Sequence, residues 1–247
     1  MYGTAKQTIT HPVSHKFQFI VLRERKTMIK ACIFDLDGTL LDTLDTILYY
    51  VNTTFQKYSL PKGDKAKCKS AVGKGALNLL TRLYEDAGFS DKELFDRLFR
   101  DYNLAYDADP MYLTKPYDGI IELLDLLYDK GIKLAVLSNK PEISTRLVIS
   151  HYFGDRFEFV AGGKAGVALK PAPEAIDRVL DSLGVTLDEC AYVGDSEVDV
   201  IFANNIKPAL PIAVSWGFRT PEQLKAVGAD IILDSVDKLS SCLISKL

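Results

Sequence analysis

From Met28 onward the chain alternates short, almost unbroken apolar runs with stretches whose apolar residues recur every three or four positions. The runs are 29–34 (IKACIF), 132–137 (IKLAVL), 157–160 (FEFV), 190–193 (CAYV), 210–214 (LPIAV) and 230–233 (DIIL). Runs of this length, without polar alternation, predict parallel strands covered on both faces. Between them, Ile121, Leu124, Leu127 and Tyr128 make a helical stripe closed by Gly131, and Ala175, Ile176, Val179 and Leu183 make another closed by Gly184. Thr186 and Glu189 have the spacing of a capping box before the next strand. Strands alternating with helices predict an α/β protein with a Rossmann-like, doubly wound parallel sheet.

One interval breaks the rhythm. Residues 43–115, 73 in all, hold no convincing strand. Ile47, Val51, Phe55 and Tyr58 fall on one helical face, and Leu77, Leu80, Leu83 and Ala87 on another that ends at Gly88. Ser90 and Glu93 read as a capping box opening a third helix through Leu94, Leu98 and Tyr102. A structureless loop of that length is implausible in a compact domain. The expectation is a core formed by 28–42 and 116–247, with an all-helical domain, 43–115, inserted after the first strand.

Residues 1–27 are basic, at net +4, which leaves −7 on the remainder of a chain whose total is −3. FQFIV at 17–21 has strand character, but no apolar region with a cleavage site follows, which argues against a secretory signal. Three readings are open: Met28 is the natural start, 1–27 is a dispensable tail, or the segment targets an organelle. An acidic body lacks the footprint of a nucleic-acid binder, so an anionic ligand needs a local cation. No apolar run reaches the roughly 18 residues of a membrane span. The four cysteines (32, 68, 190 and 242) form no CxxC, and His11, His15 and His151 are too scattered for a metal site. Together these give a reduced, cytoplasmic protein as the expectation, monomer or homodimer.

The chemistry sits where the apolar runs stop, since open α/β sheets bind ligands at the carboxyl ends of their strands. IKACIF is followed by Asp35-Leu36-Asp37-Gly38-Thr39, IKLAVL by Ser138-Asn139-Lys140, and CAYV by Gly194-Asp195-Ser196 with Asp199 beyond; Lys170-Pro171 precedes the helix at 173. Four carboxylates on one rim need a cation, and an all-oxygen set open to water and phosphate suits Mg²⁺. Lys170 adds a point charge suited to phosphate. The combination points to phosphoryl transfer, with one carboxylate as nucleophile and another, two residues on, as proton donor and then base.

DLDGTLLDT (35–43), LSNK (137–140), LKPAPEAI (169–176) and GDSEVD (194–199) resemble the four ordered motifs of the haloacid dehalogenase superfamily. The resemblance implies a Rossmann-like core with a helical cap at the insert. By motif it makes Asp35 the nucleophile and a Mg²⁺ ligand, and Asp37 the general acid/base, also offering its backbone carbonyl to the metal. Ser138 becomes the hydroxyl that holds the phosphoryl group, Lys170 the lysine that steadies nucleophile and phosphate, and Asp195 the further metal ligand. Asp199 either ligates through water or orients Lys170, and Asn139 adds a hydrogen bond to phosphate. Thr39 reads equally as turn chemistry or a phosphate contact, and Asp42 and Thr43 as a cap on the first insert helix. Dehalogenases and phosphonatases of the superfamily lack an acid where Asp37 stands, so phosphoester chemistry is favoured.

The stretches YDGIIELLDLLYDKGIKLAVLSNKP (117–141) and VSWGFRTPEQLKAVGADIILDS (214–235) look similar to phosphoglycolate phosphatases. Relatives with near-identical motifs hydrolyse pyrophosphate, nucleotides or sugar phosphates, and β-phosphoglucomutases share the cap type. A small phosphorylated metabolite, foremost 2-phosphoglycolate, is the expected substrate; a catalytically silent binding protein is the contrasting alternative. The chain departs from the family at Asn205-Ile206-Lys207-Pro208, where a small residue and Gly usually stand. Gly162-Gly163-Lys164 lacks the Lys-Ser/Thr of a P-loop. Gly73-Lys74-Gly75, beside a helix start, is the candidate reader of the substrate's anionic end. Trp216 and Arg219 read as structural.

Overall fold

The computed structural model describes residues 28–247; the readings of the first 27, the strand at 17–21 among them, lie outside it. β1 (Ala31–Phe34) leads through a tight turn to β2 (Leu41–Asp42). Four helices follow: α1 (Leu44–Lys57), α2 (Lys65–Ala71), α3 (Gly75–Asp86) and α4 (Lys92–Ala108). β3 (Lys115–Pro116) ends this excursion by pairing antiparallel with β2. Then come α5 (Ile120–Asp129), β4 (Lys133–Pro141), α6 (Glu142–Phe153) and β5 (Phe159–Gly163). A 3-10 turn (Pro173–Ile176) runs into α7 (Asp177–Leu183), followed by β6 (Cys190–Gly194), α8 (Glu197–Ile206) and β7 (Leu210–Val214). α9 (Pro221–Ala226), β8 (Ile232–Leu233) and α10 (Val236–Ile244) complete the chain.

Six strands form one parallel sheet in the order β5-β4-β1-β6-β7-β8. Side chains alternate along each strand, so β1 feeds both layers. Cys32 and Phe34 pack with α5 and α10, while Ala31 and Ile33 pack with α7 and α8. β1 is the strand on either side of which the winding reverses. That reversal opens a crevice at the carboxyl ends of β4, β1 and β6.

The insert has its own core. Val51 and Phe55 of α1, Leu80 and Leu83 of α3, and Leu98, Tyr102 and Tyr106 of α4 are buried together, joined by Phe218 from beyond β7. Each such side chain contributes roughly 1.5–3 kcal/mol on burial, which accounts for a helical unit that holds together between two short strands.

Several expected details differ. In α5 the buried stripe is Ile120, Leu123, Leu124 and Leu127, with Ile121 and Tyr128 outward. Nearly every position there is apolar, so the period alone does not fix the face. Leu77 is likewise exposed. Ser90 does not cap α4; Asp91 does, its carboxylate accepting from the Leu94 N–H at 3.1 Å. α2, too short and polar to show a stripe, was not foreseen. The Thr186/Glu189 capping box is present. β4 runs past Leu137 to Pro141, so Ser138-Asn139-Lys140 lie within the strand. β5 extends through Gly163 because its glycines let the chains approach: a Cβ at Gly162 would lie 2.4 Å from the Glu142 Cα.

Candidate active site

Asp35 directly follows β1, and Asp195 directly follows β6. Asp195 is fully buried; its carboxylate accepts from the Thr39 hydroxyl (3.1 Å) and from the Phe218 N–H (2.7 Å). The turn at Gly38 makes room for it. Gly38 has φ +90°, and a Cβ there would meet the Asp195 carboxylate at 2.4 Å. Thr39 therefore serves Asp195 rather than a phosphate or a local cap. Thr43 sits at the α1 N-terminus but makes no capping bond, and its hydroxyl is buried without a partner.

Lys170 is the hub beneath the crevice. Its Nζ lies 2.8 Å from Asp35 Oδ1, 2.7 Å from Asp199 Oδ1 and 3.0 Å from the Tyr192 hydroxyl. Tyr192 donates in turn to Asp199 Oδ1 at 2.7 Å. The other oxygen of Asp199 accepts from the N–H and hydroxyl of Ser196, a capping box at the start of α8. Asp199 is thus tied to Lys170, in accord with the orienting alternative for that residue.

The charges do not balance. Carboxylate oxygens of Asp35, Asp195 and Asp199 lie within 4.8 Å of one another, all buried, with Lys170 the cation among them. Burial pushes Asp35 up to about 7, and the charge of Asp199 adds to it against Lys170. Burial, then Asp199 and Asp35, push Asp195 well above the carboxylate range. Burial also presses Asp199 upward, but Lys170, Ser196 and Tyr192 outweigh it and hold it below its usual value. Burial alone would lower Lys170, yet Asp199 and Asp35 hold it above. An all-oxygen cluster short of positive charge fits a divalent cation, whose charge would favour the ionised form of both acids. The expected metal set was Asp35, Asp37 and Asp195. The side chain of Asp37 is elsewhere, facing Lys140, so any part it takes falls to its backbone.

A cleft separates this rim from the insert. Its floor includes Asp35, Asp37 and Ser138; its roof includes Leu79, Tyr102, Tyr106 and Asp107. Gly73 and Gly75 line it, whereas Lys74 is exposed and does not. Asn139, expected at the phosphate, is otherwise engaged: Nδ2 donates to the carbonyls of Gly73 (3.0 Å) and Lys170 (2.8 Å), and Oδ1 accepts from the Lys170 N–H (2.9 Å). With both amide hydrogens used, it joins the insert to the lysine loop. Arg219 is structural, as expected. It grips Glu197 through two bonds and donates to the carbonyls of Lys69, Ser70 and Val72 at the end of α2.

Sequence reasoning missed Lys140 and Tyr106. Lys140 Nζ, 3% exposed, lies 3.1 Å from Asp37 Oδ1 and 2.6 Å from the Tyr106 hydroxyl. Lys140 stood in view as the last residue of LSNK. Tyr106 looked like one more core aromatic of α4.

The model of the haloacid dehalogenase-like hydrolases matches residues 32–209. The phosphoglycolate phosphatase of Rhodospirillum rubrum is 34% identical over 223 residues, covering 87% of this chain and 91% of that protein. That of Caulobacter vibrioides is 33% identical over 217 residues, 85% and 89% of the two chains. A crystal structure from Lactobacillus delbrueckii subsp. bulgaricus superposes with TM-score 0.81 at 33% identity, over 87% of this chain and 98% of that one. The chain belongs to the haloacid dehalogenase-like hydrolases. No described helix is long and apolar enough to cross a membrane.

Proposed function

We propose that this hydrolase is a Mg²⁺-dependent phosphatase of small phosphomonoesters, foremost 2-phosphoglycolate, working through an aspartyl-phosphate. The observation that carries the reading is the placement of Lys170 against Asp35, at 2.8 Å, beneath the cleft. That holds a carboxylate and a cation where an anionic phosphoryl group must be approached. The names of the relatives at 33–34% identity support the substrate.

In this reading residues 43–115 are a cap over a core of 28–42 and 116–247. An Asp35 oxygen attacks phosphorus, the ester P–O bond breaks, and Asp37 gives its proton to the leaving oxygen. Asp37 then takes a proton from water as that water attacks phosphorus; the Asp35–phosphorus bond breaks and phosphate departs. Ser138 and Lys170 hold the phosphoryl oxygens, and Asp199, with Tyr192, aims Lys170. Asp35, Asp195 and the Asp37 carbonyl would hold Mg²⁺, which supplies charge neutralisation. The roof of Tyr102, Tyr106 and Leu79 excludes bulk water and limits the leaving group to a small one.

The test is phosphate release, with and without Mg²⁺, from 2-phosphoglycolate, pyrophosphate, β-glucose 1-phosphate, nucleoside monophosphates and an aryl phosphate. A preference for 2-phosphoglycolate of about a hundredfold in kcat/KM, some 2.7 kcal/mol, is expected. Absence of metal-dependent release from every compound would overturn the reading.

A further inference from the structure

The cleft contains a second lysine whose chemistry the phosphoryl end does not use. Lys170 stands at the nucleophile; Lys140 stands at Asp37, the other end of the reaction coordinate. Among the described residues that line the cleft, Lys140 is the one side-chain cation. It is buried, so its charge is not spent in solvent. Its Nζ faces both carboxylate oxygens of Asp37, at 3.1 and 3.5 Å, and the Tyr106 hydroxyl at 2.6 Å. The hydroxyl of Tyr106 accepts from Lys140 and has no acceptor of its own among the described residues. A buried cation from the core and a hydroxyl from α4 with its hydrogen unspent therefore converge on the same cleft. The nearby acid of the insert, Asp107, accepts from the Ser144 hydroxyl.

We propose that Lys140, with Tyr106 closing over it, reads the carboxylate of the leaving group and so sets the preference for a short carboxylated phosphomonoester. The inference rests on the phosphatase reading above and deepens it. Its geometry is a chain of short steps. A proton donor must sit within about 2.6–3.2 Å of the bridging oxygen, so Asp37 marks that atom. Lys140 Nζ lies 3.1 Å beyond Asp37 Oδ1. In a glycolate leaving group the carboxylate carbon is two bonds from the bridging oxygen, the span needed to reach a cation one hydrogen bond past Asp37. A buried cation left without this anion loses a charge-assisted pair, which is how a site built for a charged group rejects the neutral analogue. The reader is thus placed on β4 and α4, in contrast to the expectation for Gly73-Lys74-Gly75.

The experiment compares 2-phosphoglycolate with ethyl phosphate, which keeps the short chain and replaces the carboxylate by a methyl group. kcat/KM for both is measured in the full chain, in Lys140→Met and in Tyr106→Phe, with Mg²⁺ present. The ratio of the two values is independent of the fraction of active protein. Lys140→Met is expected to cut the ratio by about thirtyfold or more, and Tyr106→Phe by about three- to tenfold. An unchanged ratio in a folded Lys140→Met, beside a strong preference in the unaltered chain, overturns the proposal and leaves Lys140 as a partner of Asp37 alone. If Lys140→Met does not fold, an unchanged ratio in Tyr106→Phe overturns it. A ratio near one in the unaltered chain defeats the substrate reading first, and the carboxylate reader with it.

Discussion

The two ends of the cleft are built alike and anchored differently. Each has a buried lysine between an aspartate and a tyrosine: Lys170 with Asp35 and Tyr192, Lys140 with Asp37 and Tyr106. At the first end every member comes from the core: the end of β1, the loop after β5, and β6. At the second the tyrosine comes from α4 of the insert. One end is complete within the core, while the other needs a residue of the insert. On the proposed reading this is a division of labour: the reacting groups belong to the core, and discrimination draws on a residue of the insert.

The sharpest way to break this division is at the nucleophile. Asp35→Asn is expected to bring phosphate release to background with every substrate, whereas Asp37→Asn still accumulates phosphoenzyme from an aryl phosphate with a good leaving group, seen after acid quench. Lys170→Met comes next. It should lower kcat by roughly 10²–10³-fold for 2-phosphoglycolate and ethyl phosphate alike, leaving unmoved the ratio that Lys140→Met collapses. Equal effects of the two lysine variants on that ratio would erase the contrast.

Stability measurements sharpen the same comparison. Arg219 fastens the insert to the core with a buried side chain, so Arg219→Met leaves Glu197 and three carbonyls short of a partner. A loss of about 3 kcal/mol in chemical denaturation is expected, with a raised KM. Mg²⁺ at a hundred times its dissociation constant should stabilise the protein by about 2.7 kcal/mol, read as a rise in Tm; Asp195→Asn should remove that response. The smallest effect belongs to the departure after α8. Lys207 carries φ +54° at the helix end, a conformation that suits glycine. Lys207→Gly should gain about 0.5–1 kcal/mol in urea unfolding without touching either end of the cleft.

The same contrast explains what the sequence disclosed. Asp35, Ser138, Lys170, Asp195 and Asp199 belong to short ordered motifs at strand ends, and the sheet had to bring them together once its winding was read. The strands themselves followed from unbroken apolar runs, each bounded by glycine or polar residues, whereas their order in the sheet came from the structure. Lys140 and Tyr106 find each other across 34 residues and two units, with no local pattern to mark the meeting. The same is true of Lys140 and Asp37, 103 residues apart. The buried face of α5 was obscured because too many of its positions are apolar, and the α4 cap because Ser90 and Asp91 are both good caps.

The β2–β3 pair has a consequence for how the chain reaches its native state. β1 pairs with β4, Ala31 opposite Lys133, and with β6, Ala31 opposite Cys190, so the central strand waits for partners far along the chain. Closing such loops is entropically slow. The helices between β2 and β3 make mostly local contacts and collapse early, and the pairing of Leu41 with Pro116 then brings the ends of the excursion side by side. What was a long detour becomes, kinetically, a short hairpin. The insert that roofs the cleft should thereby also shorten the search by which the strand carrying Asp35 finds its place in the sheet.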